Sequence, residues 1–339
     1  MLTVRRRTKA DREHWDRYVR DHADSHFGQC SAWLELTTET YGVAGEHWLA
    51  EDAGTVCGVL PLFRKRGRHP LLFSAPGGLL ADDEATATAL LQPVREIVAR
   101  ERLVYAELRD QKQAWPGLET VDEHLTMVLD LAPDPDAQWK AFDAKLRNQI
   151  RKGEKAGFTL RTGHEPLESF HRVMLENMRD LGTPLRGAAY FRRALQKLGP
   201  AAQVLVLERE SQPVSAMFAV AHRDTLMDPW ASSIRRYLRD CPNQVLYWTA
   251  LQSAIGLGLQ RFDFGRSQWG SNTFKFKEQW GAKPVPLHYQ YILGTASSAP
   301  TFASQKGSLD VVVKLWQKLP LPVVKLLGEP AKRMFPEVL

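Results

Sequence analysis

The chain has 339 residues, with 45 lysines and arginines against 39 aspartates and glutamates, a net charge of +6. A 44% hydrophobic fraction beside 25% charged residues excludes a disordered chain and allows two domains of ordinary size. Cys30, Cys57 and Cys241 are too few and too scattered for a disulfide framework or a zinc site, so no metal is expected. No uncharged run nears the ~18 residues of a membrane span. The opening MLTVRRRTKADREHW lacks the apolar core of a signal peptide, and the expected location is the cytoplasm. The mild basicity suits an anionic partner such as a phosphate or RNA.

Taken in order, the pattern predicts a strand over 2–6, a helix over 11–22, and a second helix from Ser31, read as its cap, to Thr40. Two apolar runs around Asp52-Ala53-Gly54 signal a hairpin. A strand over 71–73 leads into the turn Ser74–Gly78. A helix over 84–100 and strands over 104–108 and 125–131 follow, up to a boundary at Pro133-Asp134-Pro135.

Beyond that boundary the order recurs. A helix is expected over 137–156, with Trp139, Phe142, Leu146 and Ile150 spaced by three and four and Gly157 as its stop. Helices over 165–181 and 188–198 lead to a hairpin over 204–220, a strand over 226–232, a helix over 243–258, the strand Arg261–Gly265 and a last strand over 286–293. Thr55–Leu60 reads against Gln212–Met217, and Tyr105–Arg109 against Phe262–Arg266, both at an offset of 157 residues. One offset shared by two segments predicts a duplicated domain. Each copy has the element order of GNAT-type acyltransferase domains. The expected fold class is therefore α/β (α+β): two tandem GNAT-like domains, each a mostly antiparallel mixed sheet flanked by helices. The expected division is 1–135, 136–296, and a linker and tail over 297–339. In the tail, Val311, Val312, Leu315, Trp316 and Leu319 share a helical face beside Lys314, Lys318, Lys325, Lys332 and Arg333. Such a segment either packs on its own domain or lies on a membrane surface.

Several residues can carry chemistry. Arg147 and Arg151, four apart on one helix face, form a phosphate clamp, unless Asp143 takes Arg147 as an intrahelical ion pair. Near the start of the second helix stand His26, Gln29 and Trp33. Gly77 and Gly78 either allow a ligand close to the backbone or simply reverse the chain. No nucleophile elbow, Walker loop or dinucleotide fingerprint is present. The RxxGxG/A loop with which GNAT domains cradle the pyrophosphate of coenzyme A is replaced by RRYLRDCPNQ, which has no glycine.

The stretches FDFGRSQWGSNTFKFKEQWGA (262–282) and LRNQIRKGEKAGF (146–158) resemble the Fem-type (FemABX) aminoacyltransferase superfamily of tandem GNAT-like domains. With LLFSAPGGLLADD and KLWQKLPLPVVKLLGEP they are most similar to Fem-like proteins of exosortase/PEP-CTERM and exopolysaccharide loci. The resemblance implies aminoacyl transfer from aminoacyl-tRNA to an amine of an envelope precursor. It sets Lys277 near the donor ester carbonyl and Arg147 and Arg151 near phosphates. The acyl chemistry needs a cation at the developing oxyanion and a proton acceptor. Lys277 and Arg266 suit the first need. Asp263 suits the second, unless it only bridges to Arg266. Lys275, Trp230, Trp33, Gly77 and Gly78 complete the expected substrate contacts.

The resemblance has one departure. Where relatives using nucleotide-linked muropeptide carry a lysine three or four residues after the tryptophan, this chain has Leu36 and Thr37. An envelope glycan or lipid-linked precursor is the expected acceptor instead, reached at the inner membrane face through the tail. Two alternatives stand beside this reading: an acyl-CoA-dependent N-acyltransferase, and a non-catalytic RNA- or glycan-binding protein. No resident cofactor is expected; the donor, aminoacyl-tRNA or acyl-CoA, is a co-substrate.

Overall fold

A computed structural model describes residues 1–300 and 310–334. The expected linker falls largely outside these residues, as do the side chains of Val311, Val312 and Arg333. The chain packs as two compact units. One holds residues 1–125 and the stretch from 285 to 300. The other holds 126–284 and the tail. Both are α/β, with mixed, mostly antiparallel sheets flanked by helices.

In the first unit the elements run β1 (Thr3–Arg6), α1 (Arg12–Asp21), α2 (Ser31–Tyr41), β2 (Ala44–Gly45), β3 (Trp48–Asp52), β4 (Thr55–Leu60), β5 (Leu62–Lys65), β6 (Leu71–Pro76), β7 (Leu80–Ala81), α3 (Glu84–Arg100), β8 (Tyr105–Gln111) and the start of β9 (Glu119–Asp130). A small antiparallel sheet orders β1-β3-β4-β7. Strands β6 and β8 pair in parallel across the α3 crossover, as a strand–helix–strand connection requires. Asp83 starts α3 by accepting from the Thr86 amide at 2.7 Å. Leu90, Val94, Ile97 and Val98 then bury one helical stripe against Leu62, Leu72 and Leu108. Helix α2 begins one residue earlier than a Ser31 cap would allow: Cys30 is the cap residue. Ser31 instead accepts from Arg7 at 2.6 Å and donates its amide to Asp16 at 2.8 Å.

The second unit takes the end of β9 and runs α4 (Pro135–Ala141), α5 (Ala144–Glu154), β10 (Thr159–Gly163), α6 (Leu167–Leu181), α7 (Ala188–Leu198), β11 (Ala202–Arg209), β12 (Gln212–His222), β13 (Thr225–Ser233), α8 (Pro242–Gly256), β14 (Arg261–Ser267) and α9 (Asn272–Glu278). Its strands order β10-β11-β12-β13-β14-β9, with β10 to β13 antiparallel in succession and β13–β14 parallel across α8. The helix expected over 137–156 is two helices. Phe142 turns extended between them because Asp143 caps α5, accepting from the Leu146 amide at 2.6 Å. Strand β10 was not expected, because its exposed edge position gives no apolar alternation.

Strand β15 (Lys283–Leu293) completes the set, followed in the tail by α10 (Asp310–Gln317) and α11 (Leu321–Met334). The duplication is visible in the elements themselves. Strand β4 starts at Thr55 and β12 at Gln212, 157 residues on, and helices α3 and α8 follow the same offset to within one residue. The boundaries differ from the expected 1–135 and 136–296. Strand β9 ends beside β14 in the second unit, and β15 pairs with β8 in the first. Gln290 explains the return of β15: it is fully buried, accepting from Gln111 and from the Trp115 amide at 2.8 Å, and donating to Trp115 and Thr120. A glutamine satisfied in this way is fixed to the first unit.

Candidate active site

The site is built where β13, β14 and α9 meet in the second unit. The Ser271 hydroxyl starts α9 by accepting from the Phe274 amide. Within that helix Lys275 and Lys277 lie two residues apart and so point to opposite sides. Lys275 is exposed, whereas Lys277 is only 7% exposed. The Lys277 ammonium donates to the carbonyls of Gly265 at 2.8 Å and Arg266 at 3.0 Å. An ammonium has three donors, so this leaves one to offer elsewhere. Burial lowers its pKa below the usual lysine value, against the opposing pull of Asp228 and Asp263.

Asp228 is the residue that sequence reading missed. It stands in the apolar run Leu226-Met227-Asp228-Pro229-Trp230, where a carboxylate in mid-strand was the available signal. In the β12–β13 ladder Phe218 pairs with Trp230 and Val220 with Met227. Two residues, Asp228 and Pro229, therefore oppose one, which is a β-bulge of the kind that re-aims side chains. Asp228 consequently faces Tyr247 of α8, whose hydroxyl donates to Oδ2 at 2.5 Å. Its Oδ1 accepts from no other residue among the described ones. Burial pushes the carboxyl up to about 7, partly offset by Lys277 and Tyr247. Gly265 keeps a methyl group away from this buried oxygen: it has φ +73°, and a Cβ there would lie 3.3 Å from Oδ1.

The other expected residues divide. Asp263, buried on β14, accepts at Oδ1 from the Thr126 hydroxyl and from the Gly265 amide at 2.8 Å. It thus fixes the strand backbone at Gly265, whose carbonyl holds Lys277. The Arg266 side chain is exposed, and its carbonyl is the second acceptor for Lys277. Trp230 packs edge-on against Phe191, Phe218 and Tyr190. Arg151 covers the Trp139 ring at 5.2 Å, and Arg147 is half-buried on α5. Asp143, offered as a partner for Arg147, is the α5 cap. Trp33, Gly77 and Gly78 belong to the first unit. Trp33 is buried edge-on against Phe27. A Cβ on Gly77 or Gly78 would strike Gln29 or Gln111, and both glycine carbonyls accept from Gln29, so the chain's own side chains fill this turn.

The start of α8 is also occupied. Gly153 of α5 packs so closely that a Cβ would lie 2.4 Å from Val245 and 2.8 Å from the Cys241 carbonyl. Helix α5 therefore covers the helix start where a glycine loop would otherwise seat a pyrophosphate. Among the described residues no group of side chains could hold a metal ion, and no helix is long and apolar enough to cross a membrane.

Residues 140–278 match the family model described as an acetyltransferase (GNAT) domain. No curated protein matches the sequence. Among solved structures the chain is similar to FemX, at 16% identity and a TM-score of 0.69 over 86% of this chain and 98% of that one. It is similar to a tandem GNAT protein from the clavulanic acid biosynthesis pathway, at 12% identity and TM-score 0.58, covering 89% and 100%. It also resembles the C-terminal domain of a candidate lysylphosphatidylglycerol synthetase from Agrobacterium fabrum, at 14% identity and TM-score 0.56, covering 83% and 91%. At such identities the likeness speaks for the fold: the chain is a tandem pair of GNAT-like domains, and the matched domain is the one that holds Lys277 and Asp228.

Proposed function

We propose that the protein is a Fem-like transferase that moves an aminoacyl or acyl group to an amine of a cell-envelope peptide or polysaccharide precursor. The observation that carries this reading is the buried Lys277 ammonium, tied to two carbonyls and facing the buried Asp228. The amine attacks the acyl carbonyl carbon, and the remaining Lys277 donor meets the oxyanion as the tetrahedral intermediate forms. The attacking nitrogen must lose a proton, and the carboxyl at about 7 with an unclaimed Oδ1 is the acceptor suited to neutral pH. The leaving group departs as the carbonyl re-forms.

Aminoacyl-tRNA is favoured over acyl-CoA as donor by the covered start of α8 and the glycine-free segment before it. FemX and the synthetase domain carry the same fold, and the exosortase-type resemblance of the sequence supports an exopolysaccharide setting. The tail supports contact with the inner membrane face. Trp316 and Val324 are buried, while Leu315, Val323, Leu326 and Leu327 are exposed among Lys314, Lys318 and Lys325.

Thermal-shift titration with charged tRNA, uncharged tRNA and acetyl-CoA tests the donor. Stabilisation by charged tRNA and none by acetyl-CoA is expected. Stabilisation by acetyl-CoA alone would replace this donor with an acyl-CoA.

A further inference from the structure

The turn between β5 and β6 reads Arg66-Gly67-Arg68-His69-Pro70 and is entered through Arg64 and Lys65. The chemistry proposed above uses none of it. Ion pairs and one backbone bond gather further arginines around this turn, all within the first unit. Arg64 meets Glu46 at 2.8 Å and also pairs with Glu101, just past α3. Arg6 of β1 meets Glu46 at 2.7 Å, and Arg100 meets Glu101 at 3.0 Å. The Val104 amide donates to the Pro70 carbonyl at 2.8 Å, which holds the turn against the segment after α3. Between them lies a cleft of about 460 Å³, lined by Arg6, Arg64, Lys65 and Arg66 with Glu46 and Glu101. Those two carboxylates are already shared among three arginines. Arg66, Arg68 and Arg102 are exposed, and none of them forms an ion pair among the described residues.

We propose that this face of the first unit binds the phosphate backbone of a base-paired RNA segment. The inference rests on the donor proposed above, which makes that RNA a tRNA. Each guanidinium offers a planar fork of donors that matches a phosphate. The cleft is concave, so a ridge of phosphates can enter it where a flat bilayer cannot. None of its residues is an exposed large apolar one, whereas Leu315 and Leu326 of the tail are, so the patch lacks an anchor for lipid. The Trp48 ring is covered by the Arg6 guanidinium at 5.3 Å, and no exposed aromatic ring lines the cleft to stack an unpaired base. Recognition is therefore of phosphates rather than bases, which suits a paired stem.

The test is fluorescence-anisotropy titration of the full chain with labelled deacylated tRNA over a range of KCl, without turnover. Wild-type affinity should fall linearly with salt on logarithmic axes. The triple variant Arg66→Ala, Arg68→Ala, Arg102→Ala should bind about 10- to 100-fold more weakly, with a salt slope shallower by about one per arginine removed. Lys314→Ala, Lys318→Ala, Lys325→Ala removes the same charge from the tail and should leave tRNA affinity unchanged. Equal losses in both triple variants would reduce the effect to net charge and overturn the proposal. So would a patch variant that loses binding to phosphatidylglycerol vesicles but keeps tRNA, which would assign the face to lipid. A wild type and patch variant that bind tRNA equally would overturn the patch alone, whereas a wild type that binds no tRNA would remove the proposed donor as well.

Discussion

At the scale of single residues, Asp228 and Lys277 show opposed departures from their ordinary protonation. Asp228 is raised from 3.8 to about 7 by burial, so between those values the folded chain holds a proton that the unfolded chain has lost. Stability then falls as pH rises through that window and levels off above about 7. Asp228→Asn removes the penalty. Its melting temperature relative to wild type should climb between pH 4 and pH 7, and a constant difference would contradict the assignment. The rate should follow the same groups. We expect kcat/KM to rise with pH to about 7 and to fall on an alkaline limb below the ordinary lysine value of 10.5. Lys277→Ala should cost about 10²- to 10³-fold in kcat, the usual loss of one oxyanion donor.

At the scale of elements, two glycines carry opposite lessons about what a sequence reveals. An exposed mid-helix glycine changed to alanine usually gains about 1 kcal/mol. Gly153→Ala should instead destabilise by about 1–3 kcal/mol, since the new methyl meets Val245 and the Cys241 carbonyl. Urea unfolding reads the sign directly. Gly265→Ala should also destabilise and should lower activity, because it forces φ +73° on a residue with a Cβ and crowds Asp228. Helix α3, capped by Asp83 and periodic throughout, was legible from the sequence, as were α7 and the β11–β12 hairpin. Lys277 stands out in the sequence through its unusual aromatic setting, and its burial and two carbonyl partners are what the structure adds. Asp228 was not legible, because a bulge sets which face it takes, and a bulge depends on partner registers that no local pattern records. The break at Phe142 was hidden for a similar reason: Trp139, Phe142 and Leu146 keep helical spacing, while the Asp143 cap overrides it.

Across the molecule the duplication allows matching places in the two units to be compared. Arg109 of β8 is the counterpart of Arg266 at the shared offset, yet it is buried and bound to Glu107 at 2.6 Å. Tyr291 of β15 donates to the same carboxylate. The matching place in the first unit is thus filled by a closed ion pair, whereas the second unit has an ammonium with a donor in reserve. Strand β15 also sets what can fold alone. A fragment of residues 1–135 lacks Gln290 and Tyr291, so Gln111 and Glu107 each lose one buried partner. It should show no cooperative thermal transition by circular dichroism. A sharp transition like that of the full chain would contradict the division into units described above.

The most direct test of the central claim is mass spectrometry of envelope peptides and glycans from a strain lacking the gene, complemented with wild type or with Lys277→Ala shown to be folded. The account predicts that an aminoacyl or acyl mass disappears with the gene, returns with the wild type, and stays absent with Lys277→Ala. Full return of that mass with the alanine variant would contradict it.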